Sequence, residues 1–220
     1  MDTHILVICE GASECNYLLH LQRFLRELPP MAACGMPLTL IGLPKNYDPS
    51  TLRRKGVGTG TFGKVASTYK AEWRKNKSAR FLIWVDDDLY VRNDKMCGTH
   101  YAQKTNEIPD FSFSVHNFED FIALHFPDEQ FEEWKGVLGS TGHFQRPLHG
   151  AEYATHFQRI WPKYKKGELP LDFVTDSSLR NMIRHLQSLP PMAEGGISRT
   201  RTFAQDLSEI LKQAYPAIFT

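Results

Sequence analysis

Short apolar runs alternate with amphipathic segments along the first 126 residues of this chain. A continuous apolar run, typical of a strand covered on both faces of a parallel sheet, occupies residues 5–9, and further strand-like segments occupy residues 38–43, 79–85 and 111–115. After the first run, leucines recur at helical spacing, which predicts a helix that Ser13 caps and that Pro29 and Pro30 end. A second, basic helix is predicted at residues 62–77, so the order of elements indicates βαβ units.

Beyond residue 126 the strand signals fade and helical periodicity takes over. Apolar positions at helical spacing predict helices at residues 118–126, 129–138, 151–164, 177–189 and 203–214. Thr202 and Gln205 form a capping box before the last of them. We therefore expect an α/β core at residues 1–126, with a mostly parallel four-stranded sheet flanked by helices. An α-helical extension at residues 127–220 is expected to pack on this core.

Length and cysteine content limit the classes of protein to which this chain can belong. The 220 residues suit one ordinary domain with an extension, large enough to fold without disulfides. The four cysteines are irregularly spaced without a C-x-x-C pair, which disfavours a zinc site and indicates reduced thiols. No secretory signal is evident, and no apolar run approaches the roughly 18 to 20 residues of a membrane span. We therefore expect a soluble, cytoplasmic protein with no membrane partner.

The formal net charge of +1 conceals a basic segment at residues 53–80. This segment contains nine Lys or Arg and one acid, so its local charge is +8. Such a segment is either an ordinary solvated surface or a binding surface for nucleic acid phosphates. The candidate phosphate contacts are Arg53, Arg54, Lys55, Lys64 and Arg74.

The stretch "GTGTFGKV" within this segment nearly matches a phosphate-binding loop, but Val65 stands where Ser or Thr would bind Mg²⁺. We therefore interpret it, together with the preceding "RRKGV", as a basic loop rather than an ATP site. Tyr69 and Trp73 on the following helix can stack on bases, although such residues more commonly pack in a core.

Acidic residues follow two of the predicted strands. Glu10 comes after the first strand, and Asp86, Asp87 and Asp88 come after the third. Because the carboxyl ends of parallel strands share one edge of a sheet, these acids are expected to converge, and a divalent cation such as Mg²⁺ would relieve their repulsion. Side chains two apart on a strand point the same way, so Asp86 and Asp88 can share a metal. Gly11 would leave room for a phosphate at the turn. The competing interpretation is that these acids are only polar strand ends.

The stretches "CEGASECNYLLHL", the later "DDD" and "SVHNFEDFIALHF" resemble RloB-like proteins, within the wider group that shares the Toprim domain. The resemblance covers about residues 4–126. It implies a Mg²⁺ or Mn²⁺-dependent phosphodiesterase acting on RNA, with tRNA as a first choice, or on DNA, in antiphage defence and often with a partner ATPase. It implies catalytic and metal-binding roles for four residues: Glu10, Asp86, Asp88 and Glu119.

This sequence differs from the family pattern near Glu119, where the family commonly has a proline and a tryptophan. His125, six residues further on, is interpreted as a packed histidine rather than a proton donor.

Other classes of protein use the same acids. Primase-like nucleotide transfer would need nucleotide-binding and zinc or helicase modules that the sequence does not display. A receiver-like phosphorylation domain is disfavoured because its paired acids would follow the first strand, where Glu10 stands alone. A non-catalytic or conditionally activated subunit of an ATPase complex stays open. So do the choice between RNA and DNA, the number of metals and a homo-oligomeric state.

Overall fold

A computed structural model describes residues 5–9, 11–28, 38–41, 47–48, 53–54, 62–86, 111–114, 117–140, 150–188 and 202–220. Within these ranges, the side chains of the second, third and fourth strands and of the first turn of the second helix lie outside the description. Three of the predicted site residues, Glu10, Lys55 and Asp88, also lie outside the described residues.

Four strands form a parallel sheet at the centre of the fold. They are β1 (Ile5–Cys9), β2 (Leu38–Ile41), β5 (Arg80–Val85) and β6 (Phe111–Phe113), in the spatial order β2-β1-β5-β6. Each neighbouring pair is parallel, with Cys9 opposite Trp84 and Val85 opposite Phe113. Every residue of β1 is buried, as are all but the first of β5, which explains their continuous apolar runs. The mixed α/β class predicted from the sequence is confirmed.

A short antiparallel pair was not predicted. It joins β3 (Tyr47–Asp48) to β4 (Arg53–Arg54), with Tyr47 opposite Arg54. The sequence pattern predicts a basic loop for the two arginines. The strand pairing corrects that prediction for Arg53 and Arg54, while residues 55–61 lie outside the described part of the chain.

Helices occur where the periodicity predicts them. Within the described ranges they are α1 (Ala12–Glu27), α2 (Phe62–Lys75), α3 (Phe118–Ala123), α4 (Asp128–Ser140), α5 (Gly150–Ile160), α6 (Asp176–Ser188) and α7 (Phe203–Ala214), followed by a 3₁₀ turn at Pro216–Phe219. Helix α5 ends four residues before the predicted position, because Pro162 disfavours helical backbone at Trp161. None of these helices has the length and apolar composition that a membrane span requires.

The caps of α1 and α7 show one wrong prediction and one confirmed prediction. Gly11, not Ser13, is the N-cap of α1, and Ser13 is buried inside the first turn. At α7 the Thr202 hydroxyl accepts from the backbone N–H of Gln205 at 3.3 Å, and the Gln205 side chain accepts from the N–H of Thr202 at 2.9 Å. The capping box there is confirmed.

Helices cover both faces of the sheet. On one face the Trp84 ring stacks on Phe203 of α7, with ring centroids 3.8 Å apart, and meets Phe121 of α3 edge-on at 4.8 Å. Tyr17 of α1 contacts the same tryptophan. On the other face Phe81 contacts Tyr69 of α2. The sheet is therefore the middle layer between α1, α3 and α7 on one side and α2 on the other.

The C-terminal helix α7 is anchored to the sheet by polar contacts as well as by Phe203. Asp206, which is 1% exposed, accepts from Arg80 at 3.1 Å and from the Ser112 hydroxyl at 2.6 Å. Thr202 forms an isolated parallel bridge with Phe113. These contacts join residues after position 127 directly to the strands. The division of the chain into two parts at residue 126 stays a prediction.

Candidate acidic site at the carboxyl edge of the sheet

The order of the strands creates a switch point at the carboxyl ends of β1 and β5. The chain leaves β1 towards β2 on one side and returns to β5 on the other, which is where ligands bind in open parallel sheets. Because Cys9 lies opposite Trp84, the two strands end within one residue of each other. Asp86 therefore follows β5 beside the start of α1. The metal-binding roles predicted for Glu10 and Asp88 stay predictions, since both residues lie outside the described ranges.

Glu14, in the first turn of α1, is a buried carboxylate at this edge that the sequence pattern did not single out. It is 4% exposed, and its side chain folds back over Gly11, so that a Cβ at Gly11 would lie only 2.8 Å from Glu14 Oε2. Helical side chains lean towards the N-terminus, which directs Glu14 towards the end of β1. Gly11 thus leaves room for the carboxylate in this position.

Glu119 brings a second buried carboxylate, from the first turn of α3, with no exposed surface. Its Oε1 accepts a hydrogen bond of 2.8 Å from the hydroxyl of Tyr164. The neighbouring Asp120 has a structural role, because it accepts from Trp134 Nε1 at 2.9 Å and from the N–H of Asn117 at 3.0 Å. The predicted functional glutamate and its neighbour are thus held by different partners.

The electrostatics couple these groups. Burial raises the pKa of Glu14 to about 7, with backbone N–H groups and Lys166 opposing the rise and the Glu119 carboxyl adding to it. Burial also raises the pKa of Glu119, against the opposing effects of Lys166 and the Tyr164 hydrogen bond. The pKa of Tyr164 is raised by burial and then by Glu119, Asp86 and Glu14, so Tyr164 remains a hydrogen-bond donor. Glu119 therefore acts on Glu14, and all three carboxyls act on Tyr164.

The site has donor atoms that suit a hard cation. Oε2 of Glu14 and Oε2 of Glu119 are both buried without a hydrogen-bond partner. A buried carboxylate oxygen that accepts no hydrogen bond is stabilised by a proton or a cation, and carboxylate oxygens are preferred ligands of Mg²⁺. Across the ranges described above, however, no group of three or more His, Cys, Asp or Glu is placed to hold a metal ion. A metal at this edge would therefore need ligands beyond the described carboxylates.

The sequence carries no functional signal for Glu14, which directly follows the predicted cap Ser13 in the first turn, where acids are favoured by the helix dipole alone. The expectation that ligands bind at the carboxyl ends of parallel strands points only to the residue that directly follows each strand. It therefore selected Glu10 and passed over the acid one turn later.

The structure separates some predicted site residues from this edge. Arg74 lies exposed in the last turn of α2, which leads into the amino end of β5, whereas Asp86 follows its carboxyl end. Tyr69 is half-buried against Phe81, as a core residue would be, but Trp73 is 48% exposed, so a core position for Trp73 is wrong. The side chains of Arg53, Arg54 and Lys64 lie outside the description.

His125 is a packed histidine, as predicted. It is 2% exposed, its Nε2 lies 2.8 Å from the Tyr17 hydroxyl, and its Nδ1 lies 3.1 Å from the carbonyl oxygen of Phe121. Burial lowers its pKa to about 3, so it stays neutral at physiological pH.

Replacing Glu14 by glutamine is expected to remove part of the pH dependence of stability. The Glu14 carboxyl has a pKa of about 7 in the folded chain and its ordinary value of 4.5 when unfolded. Its contribution to stability is therefore fully present below pH 4.5 and is lost as the pH rises through 7. The difference corresponds to about 3 kcal/mol of unfolding free energy.

Urea unfolding in EDTA at about pH 4.5 and pH 8 measures this effect. Between the two pH values, wild type should lose about 3 kcal/mol more than Glu14→Gln. Glu132→Gln, which changes an exposed glutamate paired with Lys135, is the matched control and should behave as wild type. Equal pH dependence in wild type and Glu14→Gln would contradict the prediction.

Comparisons with protein-family models, curated proteins and solved structures find no match to this chain.

Proposed function

We propose that this protein is a Toprim-type, metal-dependent nuclease of the RloB-like kind that hydrolyses phosphodiester bonds in RNA or DNA. The observation that carries the proposal is the pair of buried carboxylates, Glu14 and Glu119, which interact electrostatically near the switch point of a parallel sheet and share Tyr164 as a neighbour with Asp86. Burying two interacting acids is unfavourable for folding alone, so their position indicates a function that requires them.

Asp86 and Glu119 would hold Mg²⁺ or Mn²⁺ together with Glu10 and Asp88, and the buried carboxyl of Glu14 would lie beside this ligand set. When bound, the metal would polarise the phosphate and lower the pKa of a water nucleophile. The chain's own groups prepare this site. The Tyr164 hydroxyl orients Glu119, and the ammonium group of Lys166 acts on both glutamates and adds positive charge where a phosphate would approach.

The basic segment at residues 53–80 supports nucleic acid as the substrate class. Its positive charge attracts the phosphate backbone of RNA and DNA alike, so it does not select between them. The resemblance to defence nucleases makes tRNA the first substrate to test.

A conditionally activated subunit of an ATPase defence complex is the alternative. The pKa of about 7 for Glu14 favours it in one respect, because a protonated carboxyl does not bind a cation. In that case a partner would rearrange the site before metal binds.

Incubation of the chain with tRNA, single-stranded RNA and plasmid DNA, in Mg²⁺, Mn²⁺ or EDTA, tests the proposal. We expect metal-dependent products from wild type and none from Glu10→Ala or Asp86→Ala. Calorimetric titration of Mn²⁺ into each variant accompanies the cleavage assay. An inactive wild type whose metal binding is unchanged in both variants would overturn the site. An inactive wild type whose metal binding is lost in both variants would favour the conditionally activated subunit.

A further inference from the structure

Helix α2 exposes a tryptophan that the acidic site does not use. Trp73 is 48% exposed, although the same helix buries one side of Tyr69 against Phe81. The other large apolar side chains that are exposed in the described ranges are Leu171 and Phe219. A single exposed apolar side chain is ordinary on a protein surface, so the residues around Trp73 decide what this position can bind.

Positive charges surround this indole. Lys70 lies three residues before Trp73, Arg74 is adjacent, and Lys77 follows four residues later in the turn that ends the helix. All three are exposed, and none forms an ion pair with another described residue. Lys75 differs, because it pairs with Glu72 at 3.0 Å. Residues three apart lie on one helix face, so Lys70 and Trp73 form a row on α2, and Lys77 follows in the turn after the helix ends at Lys75.

The chemistry of this row favours nucleic acid over protein. The centres of protein interfaces are depleted of lysine, whereas a row of unpaired cations matches the regular negative charge of a phosphate backbone. An aromatic ring among cations is the arrangement that binds single strands, because every unpaired base has a face that can stack on it.

The row lies at the opposite end of the sheet from the acids. The six residues of β5 separate the end of α2 from Asp86, which corresponds to about 20 Å of strand. One phosphate occurs per about 3.4 Å of a stacked strand, so roughly six nucleotides span this distance.

We propose that Trp73, Lys70, Arg74 and Lys77 form an anchoring surface for single-stranded nucleic acid, away from the acidic site. An unpaired base stacks on the indole while the three cations contact phosphates on either side. This inference deepens the proposed nuclease function and rests on it for the identity of the substrate. It assigns single-stranded segments, rather than continuous duplex, to this surface.

Fluorescence anisotropy of a labelled oligouridine of about 12 nucleotides, measured in EDTA so that no cleavage occurs, tests the surface. Trp73→Ala should weaken binding by about tenfold, and Trp73→Phe by less than about threefold, because phenylalanine keeps a stacking face. Changing Lys70 or Lys77 to alanine should reduce the slope of log affinity against log salt by about 0.7 for each phosphate that the variant no longer neutralises.

Phe219→Ala is the matched control, because Phe219 is also an exposed aromatic ring with a cation, Lys212, over its face. Unchanged affinity in Trp73→Ala, equal losses in Phe219→Ala, or equal binding of a duplex of the same length would each overturn the inference. Binding that depends on Trp73 in a chain that cleaves none of the nucleic acids would support the surface while the nuclease proposal fails. The two failures are therefore distinguishable.

Discussion

Under the proposed nuclease function, glutamine in place of Glu119 is expected to lower metal-dependent cleavage strongly without destabilising the protein. A metal ligand contributes several kcal/mol to transition-state stabilisation, so cleavage should fall by on the order of 10³-fold. Stability should be unchanged or higher at pH 8, because burial raises the pKa of Glu119 and the uncharged amide avoids the cost of burying a carboxylate. The amide oxygen can still accept the hydrogen bond from Tyr164.

Single-turnover cleavage in Mn²⁺ and urea unfolding at pH 8 measure the two effects. Tyr164→Phe is an informative companion, because it leaves the carboxylate and removes only the donor that orients it. Loss of such an orienting partner typically lowers activity by about 10 to 100-fold. Cleavage by Glu119→Gln at a rate within about threefold of wild type would contradict a catalytic role for Glu119.

Alanine in place of Trp84 is expected to destabilise the chain by about 3–5 kcal/mol. The indole has no exposed surface, stacks on Phe203 at 3.8 Å and meets Phe121 at 4.8 Å. Its N–H also donates to the Ser114 hydroxyl at 2.9 Å. The substitution would therefore separate the sheet from two helices that pack on it and leave a cavity between them.

Urea unfolding followed by circular dichroism measures this loss, with Trp73→Ala as the matched control. Trp73 is 48% exposed, so its truncation should change the unfolding free energy by only on the order of 1 kcal/mol. A single transition in Trp84→Ala, shifted to lower urea, is expected because Phe203 joins α7 to the sheet. Equal effects of the two tryptophan substitutions would contradict the packing of Trp84 between the sheet and its helices.

The sequence by itself determined the class of fold and most of its elements. Strands β1 and β5 are buried on both faces and therefore carry unbroken apolar runs. The cap of α7 could be predicted from the sequence because Thr202 and Gln205 form hydrogen bonds with each other's backbone within one turn. The start of α1 was misplaced at Ser13 because a glycine in extended conformation caps that helix without a side-chain bond.

Only the tertiary structure decided which side chains meet and which remain exposed. Glu119 meets Tyr164, 45 residues away, and Glu14 lies at the same edge because β5 crosses to the far side of β1. Tyr69 and Trp73 look alike in the sequence, yet one contacts Phe81 and the other faces solvent. Helical periodicity and capping arise between neighbours in the chain, and so can be read locally. Burial and the pKa of a carboxyl arise from contacts between distant segments, which exist only once the chain has folded.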